Sequence, residues 1–312
     1  MHNAIKNIAI KLWGMHETHN SLIASRENHT YKVFNQDKKI FVLRVHRKNY
    51  SSKNEINSEI KWIKFLNKKQ LHVPIPTKSM NRNYLELING HFVTVLSWID
   101  GSPMTEEFIQ SNTSKKYTYF YELGRSLANL HIYSDEWLIP DNFSKRSWDI
   151  EGLLGENPIW GKFWENPELN KSNKEMILNI KNKSKSILNN IQSKMDFGLI
   201  HADAVQENIL ISKDRISLID FDDSGFGFRL FDLATSLLYY YNHTDYELIK
   251  KNFLNGYISR KNIDIKFLDL FLLLRSFTYL GWNITRINEK NGKQRNSEYT
   301  KQVLRLCENI NI

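Results

Sequence analysis

Three polar side chains in the second half of the chain have types and spacing that suit one kind of chemistry. Asp203 is followed after five residues by Asn208, and after a further twelve by Asp220. Transfer of a phosphoryl group needs a carboxylate that orients and finally deprotonates the attacking hydroxyl, and it needs oxygen ligands for magnesium. We therefore predict Asp203 as the base, and Asn208 and Asp220 as the metal ligands.

Local patterns predict how these three side chains are positioned. Apolar residues indicate strands over residues 209–211 and 216–221, joined by a short turn. Because two antiparallel strands bring the residues before the first strand close to those after the second, the three side chains are expected at neighbouring ends of a short hairpin. An ionised aspartate is a weak base, but a loose transition state delays proton removal, so its placement matters more than its basicity.

Patterns in the first hundred residues predict a sheet with one helix. Alternating apolar residues indicate hairpins over residues 30–45 and 84–97, and Asn89-Gly90 is typical of a type I′ turn in the second hairpin. Between the hairpins, Ser52 and Glu55 have the spacing of a capping box at the start of an amphipathic helix.

The pattern changes near residue 100, after which apolar residues recur mainly at helical spacing. We therefore expect an α+β protein with a small, β-rich, nucleotide-binding lobe over residues 1–97 and a hinge over residues 98–101. A larger and mainly helical lobe is expected over residues 102–312, carrying the catalytic and metal loops and the acceptor site.

Composition narrows the setting in which such a site would work. The chain has 312 residues, a formal charge of +9 and one cysteine, Cys307, so an internal disulfide is impossible. The sequence shows no signal-peptide pattern and no membrane-length apolar run, so a cytoplasmic location without membrane contact is expected. The lysines are scattered among asparagines and accompany no nucleic-acid-binding signature, so no nucleic-acid partner is predicted.

Two segments resemble the catalytic and metal loops of the aminoglycoside phosphotransferase and choline kinase family. The first segment runs from His-Ala-Asp to Asn at residues 201–208, and the second is Ile-Asp-Phe-Asp-Asp at residues 219–223. Both are similar to the protein-kinase motifs His-Arg-Asp and Asp-Phe-Gly, with Ala202 for the arginine and Asp222 for the glycine, which indicates the small-molecule branch. Within that branch, Asp-Phe-Asp-Asp at residues 220–223 and Asp-Leu-Ala at residues 232–234 most resemble the group of type II homoserine kinases and stress-response serine kinases.

The resemblance covers most of the chain and implies a two-lobed protein-kinase-like fold with ATP and Mg2+ as cofactors. It implies that the γ-phosphate is transferred to a hydroxyl of a small molecule. Adenine would bind to backbone groups of the hinge at Ser97, Trp98 and Ile99, and Asp232 would have a structural role. The oligomeric state is left open.

The N-terminal lobe offers its own candidates for nucleotide binding. Kinases hold the α- and β-phosphates with a cation on the third strand, which a helix carboxylate holds in turn. Glu59 lies on the apolar face of its helix, where an ionised group is costly unless paired, and Arg44 is its predicted partner in place of the usual lysine. A surface ion pair without function is the alternative. The nucleotide-covering loop, residues 25–30, contains no glycine, and its candidate contacts are Ser25 and Asn28.

The acceptor is predicted from charges near the reacting groups. Asp222 and Asp223 add carboxylates beside Asp220, and those that magnesium leaves unneutralised would attract an ammonium group. This favours an amine-bearing acceptor, such as an aminoglycoside-like or other amino-bearing antibiotic, and a role in antibiotic resistance. Further candidate contacts, at three- and four-residue spacing on one face of a late helix, are Tyr279, Trp282 and Arg286. Ordinary helix packing would produce the same spacing.

Other acceptors remain open, because function depends on the pocket more than on the fold. Arg286 would suit a carboxylate, which keeps amino acids such as homoserine in view beside choline. A protein serine/threonine kinase would use the same atoms, but only the short stretch between Asp220 and Phe231 is available for an activation segment. A binding module without activity is disfavoured because all three residues of the predicted catalytic and metal set are present.

Overall fold

The structure is a computed structural model that describes residues 2–17, 21–25, 28–105, 113–213 and 215–310. The chain forms two compact units. The first unit comprises Met1–Glu107, Glu136–Lys145 and Glu207–Asp222, and the second comprises Phe108–Asp135, Arg146–Gln206 and Asp223–Ile312. Strands dominate the first unit and helices dominate the second, which confirms the predicted α+β class.

The elements of the described residues are numbered in chain order. The helices are α1 (His2–Leu12), α2 (Lys53–Lys68), α3 (Thr113–Asp135), α4 (Ile150–Leu154), α5 (Lys171–Ile191), α6 (Arg229–Leu238), α7 (Tyr246–Ile258), α8 (Leu268–Ile284) and α9 (Gly292–Asn309). The strands are β1 (Leu22–Ser25), β2 (Asn28–Phe34), β3 (Ile40–His46), β4 (Pro76–Thr77), β5 (Leu85–Ile88), β6 (His91–Ser97), β7 (Ser102–Pro103), β8 (Arg146–Trp148), β9 (Phe197–Ile200), β10 (Ile209–Ser212), β11 (Arg215–Leu218) and β12 (Gly225–Phe228). Short 3-10 turns span Phe163–Glu165, Gln192–Lys194 and Gln206–Asn208.

The main sheet of the first unit is antiparallel and runs in the order β1-β2-β3-β6-β4, with β5 also paired to β6. Both predicted hairpins form within it. In the second, Ile88 pairs with His91, and the connecting residues Asn89 and Gly90 have positive φ angles of 49° and 75°. These are the angles that a type I′ turn requires, which is why an Asn-Gly pair occupies the turn.

Helix α2 covers this unit with the face that the sequence predicted. Ser52 accepts a hydrogen bond from the Glu55 backbone, and the Glu55 side chain accepts one from the Ser52 backbone, so the capping box forms. The buried side chains of this helix include Ile56, Ile60, Ile63, Leu66 and Glu59. A carboxylate among apolar side chains is costly unless a cation neutralises it, so Glu59 needs a buried cationic partner.

The second unit packs its helices around a small sheet with the order β8-β12-β9, in which β8 and β12 are parallel. Helices α3 and α7 approach each other so closely at Gly256 that a Cβ atom there would lie 1.9 Å from the carbonyl oxygen of Tyr121. Phe163 and Phe277 stack with ring centroids 4.5 Å apart in the core of this unit. No helix in the described part of the chain is long and apolar enough to cross a membrane.

Candidate active site

The first unit brings the two predicted metal ligands to one end of a hairpin. Strands β10 and β11 pair from Ile209 opposite Leu218, and the backbone N–H of Ile219 donates to the carbonyl oxygen of Asn208 at 3.0 Å. Asp220 follows directly, with a φ angle of 63° and a side chain that is 50% exposed. Hairpin pairing therefore explains why a residue before β10 and a residue after β11 become neighbours.

Arg44 on β3 lies at the centre of a buried charge cluster in the same unit. Its Nη2 atom donates to Oε1 of Glu59 at 2.6 Å, and its Nη1 atom donates to Oδ1 of Asp222 at 2.9 Å. Nη1 also lies 3.7 Å from Oδ1 of Asp220. The side chains of Arg44, Glu59 and Asp222 are 5%, 2% and 6% exposed, so little solvent screens these charges. The predicted Arg44–Glu59 pair is therefore buried, and a second carboxylate joins it.

Burial and charge act in opposite directions on this cluster. Burial alone would lower the pKa of Arg44, but Glu59, Asp222 and Asp220 outweigh it and raise the pKa, so the guanidinium stays charged. Burial alone would raise the pKa of Asp222, but the charge of Arg44 outweighs it and the pKa is lowered. At Glu59 burial dominates and the pKa is raised, although Arg44 opposes the shift. Asp222 is thus the more firmly ionised partner of Arg44.

The segment that carries Asp220 is held by further contacts within the first unit. Asn28, at the start of β2, donates from its side chain to Oδ2 of Asp222. The Nζ atom of Lys145 donates to the carbonyl oxygens of Asp222, at 3.0 Å, and Phe221, at 3.4 Å. The predicted nucleotide contact Asn28 is therefore bound to the metal segment. Ser25 ends β1, and residues 26 and 27 of the predicted covering loop lie outside the described residues.

The predicted hinge contacts have backbone partners of their own. The N–H of Ser97 donates to the carbonyl oxygen of Ile75 at 2.8 Å, and the N–H of Trp98 donates to that of Ile40 at 3.3 Å. The Nζ atom of Lys32 lies 4.9 Å from the centre of the Trp98 ring. The backbone N–H groups of Ser97 and Trp98 therefore already donate within the first unit.

In the second unit, buried hydrogen bonds shape the loop that carries Asp203. The carboxylate of Asp232 accepts from the backbone N–H of His201 at 2.8 Å and from that of Ala202 at 2.6 Å. Nε2 of His131 lies 3.1 Å from the same carboxylate. Ala202 has a φ angle of 65°, a conformation that is uncommon for a residue with a side chain, and the two bonds to Asp232 hold it there. Asp232 thus has the structural role implied by the resemblance.

The side chain of Asp203 is bound by an arginine that the sequence analysis missed. Nη2 of Arg275, on α8, donates to Oδ1 of Asp203 at 2.6 Å, and Nη1 donates to the carbonyl oxygen of Ala202 at 3.2 Å. The Arg275 side chain is 0% exposed, whereas that of Asp203 is 22% exposed. The available signal was Arg275 itself, a charged residue within the apolar run of residues 268–277, because such a residue needs a partner.

Aromatic rings surround this guanidinium. The Cζ atom of Arg275 lies 4.7 Å from the ring centre of Trp160, 4.5 Å from that of Tyr279 and 5.6 Å from that of Phe231. Burial acts to lower the pKa of Arg275, but Tyr279 and Asp203 outweigh it and raise the pKa. Arg275 is therefore a fixed cation that contacts the predicted base.

The remaining predicted acceptor residues of the second unit are mostly engaged within the protein. Oδ1 of Asp223 accepts from Nη1 of Arg146 at 2.8 Å, and the backbone oxygen of Asp223 accepts from Nε1 of Trp148 at 2.8 Å. Arg286 lies beyond the end of α8, contrary to its predicted place on the helix, and donates to the carbonyl oxygen of Trp282 at 3.0 Å. Tyr279 stacks on Tyr299 with ring centroids 4.9 Å apart.

A model of the phosphotransferase enzyme family matches residues 20–265. The chain belongs to the phosphotransferase enzyme family. This confirms the family predicted from the two loops, and the chain is accordingly a kinase.

Several individual proteins that are similar to this chain are kinases. Amicoumacin kinase of Bacillus subtilis (strain 168) is 24% identical over 278 residues, which cover 83% of this chain and 78% of that protein. The structure of a microcompartment-associated aminopropanol kinase matches with a TM-score of 0.84 at 24% identity, over 98% of this chain and 96% of that one. Amicoumacin kinase hAmiN, solved in complex with AMP-PNP, Ca2+ and Ami, matches with a TM-score of 0.78 at 20% identity, over 96% and 92%. These structural likenesses show a shared fold.

The side-chain oxygens of the predicted metal ligands, Asn208 and Asp220, are of the kind that magnesium binds. Within the described residues, no group of three or more His, Cys, Asp or Glu side chains is placed to hold a metal ion. Asn208 and Asp220 instead offer one amide and one carboxylate oxygen. Magnesium in nucleotide-dependent enzymes is commonly held by one or two such protein ligands, with substrate phosphates and water completing the octahedron. The residues present therefore fit a magnesium ion that arrives with a nucleotide.

Proposed function

We propose that the protein is an ATP-dependent O-phosphotransferase that moves the γ-phosphate of ATP to a hydroxyl of a small, amino-bearing molecule. The observation that carries the proposal is the state of Asp203. Its loop is held through the buried Asp232, one of its oxygens is bound by Arg275, and its carboxylate still retains 22% exposure. A fixed but accessible carboxylate is what orientation of an attacking hydroxyl requires.

In the second unit, Asp203 would accept a hydrogen bond from the acceptor hydroxyl and take its proton late in the reaction. The bond from Arg275 to Oδ1 holds the Asp203 carboxylate in one orientation, which is the contribution that we assign to Arg275. The placement of Asp203 matters most, because little proton transfer is needed before the bond to the transferred phosphoryl group has largely broken.

In the first unit, Asn208 and Asp220 would hold Mg2+. Bound magnesium would neutralise charge on the nucleotide phosphates. Arg44, held by Glu59, stays a proposed contact of the nucleotide phosphates. The other proposed nucleotide contacts are Ser97, Trp98, Ile99, Ser25 and Asn28. Of the hinge residues we favour Ile99 for adenine, since the N–H groups of Ser97 and Trp98 donate elsewhere.

The acceptor is proposed to carry few positive charges. The similarity to an aminopropanol kinase supports an amine-bearing acceptor, because aminopropanol is an amino alcohol. In the first unit Asp222 is paired with Arg44, and in the second unit Asp223 is paired with Arg146, which argues against an acceptor with several amines. Arg275 adds a further cation beside Asp203. We therefore favour an amino alcohol or an antibiotic with a single amine over a polycationic aminoglycoside, with Tyr279, Trp282 and Arg286 kept as candidate contacts.

A panel of acceptors tests this proposal. The purified protein would be incubated with ATP and Mg2+ and with 1-amino-2-propanol, choline, homoserine, an amicoumacin, a polycationic aminoglycoside or a generic protein substrate. ADP release and the mass of the acceptor would be followed, with Asp203→Asn as the control for background ATP hydrolysis. We expect the highest kcat/KM with an acceptor that carries one amine.

Two outcomes would contradict it. Preferred turnover of the polycationic aminoglycoside would refute the charge argument. Phosphorylation of protein alone, with every small acceptor inert, would favour the alternative of a serine/threonine kinase of the stress-response type. Homoserine or choline as the best substrate would assign the enzyme to metabolism rather than to resistance.

A further inference from the structure

Two departures from the kinase pattern lie in contact in the first unit. Kinases commonly carry lysine on the third strand and glycine after Asp-Phe in the metal loop, whereas this chain has Arg44 and Asp222. These side chains are bonded to each other through Nη1 and Oδ1 at 2.9 Å. We propose that Arg44 and Asp222 form an exchanged pair, in which Asp222 is a positioning residue that keeps Arg44 away from the metal ligand Asp220. This deepens, and rests on, the proposed function.

Asp222 and Asp220 both lie close to Nη1 of Arg44, at different distances. This atom lies 2.9 Å from Oδ1 of Asp222 and 3.7 Å from Oδ1 of Asp220. The first is a charge-assisted hydrogen bond, and the second is an ion pair outside hydrogen-bond distance. Asp222 is 6% exposed and Asp220 is 50% exposed. The buried carboxylate of Asp222 therefore holds the guanidinium at hydrogen-bond distance, and the exposed carboxylate of Asp220 does not.

Removal of Asp222 would change the partner of Arg44. A buried guanidinium that loses an acceptor has a free-energy cost unless it finds another, and Asp220 is already at 3.7 Å. Arg44 would then bond to Asp220, and magnesium would have to displace it. The same reasoning explains the glycine that accompanies lysine in other kinases: a compact ammonium is a point charge that one carboxylate can satisfy, and Glu59 supplies that carboxylate here.

The segment around Asp222 is held firmly enough for one side chain to matter. Asn28 bonds the other oxygen of Asp222, and Lys145 binds its carbonyl oxygen at 3.0 Å. Phe221 is 1% exposed, with its ring edge-on to Trp62 at 5.5 Å between centroids. Since the backbone is fixed from several sides, loss of the Asp222 carboxylate is expected to redirect Arg44 rather than to unfold the loop.

A double-mutant cycle tests the pair. The wild type, Asp222→Gly, Arg44→Lys and the double variant would be compared by the Mg2+ concentration that gives half-maximal ATP turnover. Mg2+-dependent binding of AMP-PNP would be measured by calorimetry in parallel, and melting temperatures would report on folding. Arg146→Lys is the matched control, because Arg146 also pairs with an aspartate, Asp223, at 2.8 Å.

We expect Asp222→Gly to raise the Mg2+ midpoint about tenfold or more, as loss of a charge-assisted bond implies. The double variant should return to within about threefold of the wild type, because lysine is satisfied by Glu59 alone. Asp222→Asn, which keeps the shape and removes the charge, should raise the midpoint in the same direction. Arg146→Lys should leave it unchanged.

Additive effects in the cycle, or a Mg2+ midpoint for Asp222→Gly within about twofold of the wild type, would overturn the pair. If Asp222 had a purely structural role, its replacement would lower the melting temperature without changing the Mg2+ midpoint. That result would equally contradict the proposed pair. Calorimetry distinguishes failure of the Arg44–Asp222 proposal from failure of the proposed phosphotransferase function. If no acceptor is phosphorylated, the metal dependence of nucleotide binding still decides whether Arg44 and Asp222 are coupled.

Discussion

Replacement of Arg275 by methionine would show how much the protein gains from holding its proposed base in place. Arg275 donates to Asp203 at 2.6 Å and to the carbonyl oxygen of Ala202 at 3.2 Å, and its side chain is 0% exposed. A hydrogen bond to a charged group contributes about 1.5–3 kcal/mol. If that amount is lost in the transition state, kcat falls by about 10- to 150-fold. Methionine preserves much of the apolar volume against the surrounding rings.

The assay is steady-state turnover with the best acceptor, with ATP varied at saturating Mg2+. We expect kcat to fall and the KM for ATP to stay within about twofold, because the bonds of Arg275 reach Asp203 and Ala202 rather than predicted nucleotide ligands. Arg275→Lys should recover part of the loss, since it restores a cation without the planar fork.

A matched control separates positioning from stability. Arg229 is also fully buried in the second unit, where it donates to the carbonyl oxygen of Leu199 and pairs with Asp135. Arg229→Met should lower the melting temperature and leave kcat per folded molecule within about twofold. A folded Arg275→Met protein with kcat within about threefold of the wild type would refute the reasoning, because positioning would then contribute less than one ordinary hydrogen bond.

Three further predictions follow from the two units. Asp203→Asn should reduce kcat by at least about a hundredfold while AMP-PNP affinity changes little, since the carboxylate is lost and the shape is kept; unchanged turnover would exclude Asp203 as the base. Asp220→Ala should weaken nucleotide binding only when Mg2+ is present, because a ligand of the ion is lost; equal weakening without Mg2+ in calorimetry would place the metal elsewhere. Burial lowers the pKa of His131 to about 4 from 6.5. The unfolded chain therefore binds the proton first, so stability is complete above about pH 6.5 and decreases by up to about 3 kcal/mol as pH falls towards 4. His131→Gln should remove that share of the pH dependence in urea unfolding at pH 7 and pH 4.5, and an unaltered dependence would mean that His131 does not titrate there. The groups that act on His131 are Asp232, Tyr257, Arg229 and Asp196.

Local patterns were sufficient for the features that depend on neighbouring residues. The Asn89-Gly90 turn, the capping box of α2 and the approach of Asn208 to Ile219 each follow from a few adjacent side chains. The burial of Glu59 was also predictable, because helical periodicity placed it on the apolar face and so required a cation.

Other features depend on pairing over long separations, which a single sequence does not specify. Arg275 is 72 positions from Asp203, and Arg146 is 77 positions from Asp223. The sequence analysis therefore counted Asp222 and Asp223 as carboxylates available to an acceptor, whereas both are bound by arginines. The end of α8 at Ile284 also places Arg286 off the helix, because no local signal marked where the helix would stop.

The division of the chain has a consequence for synthesis on the ribosome. The first unit includes residues up to Asp222, although its sheet is built from the first hundred residues. At about 5–20 residues per second, roughly 6–25 seconds would separate synthesis of the sheet strands from synthesis of Asp222, the carboxylate that completes the Arg44 cluster. Until then Glu59 is the carboxylate partner of Arg44 that has already been made, so we expect the charge cluster to form late in the folding of the first unit.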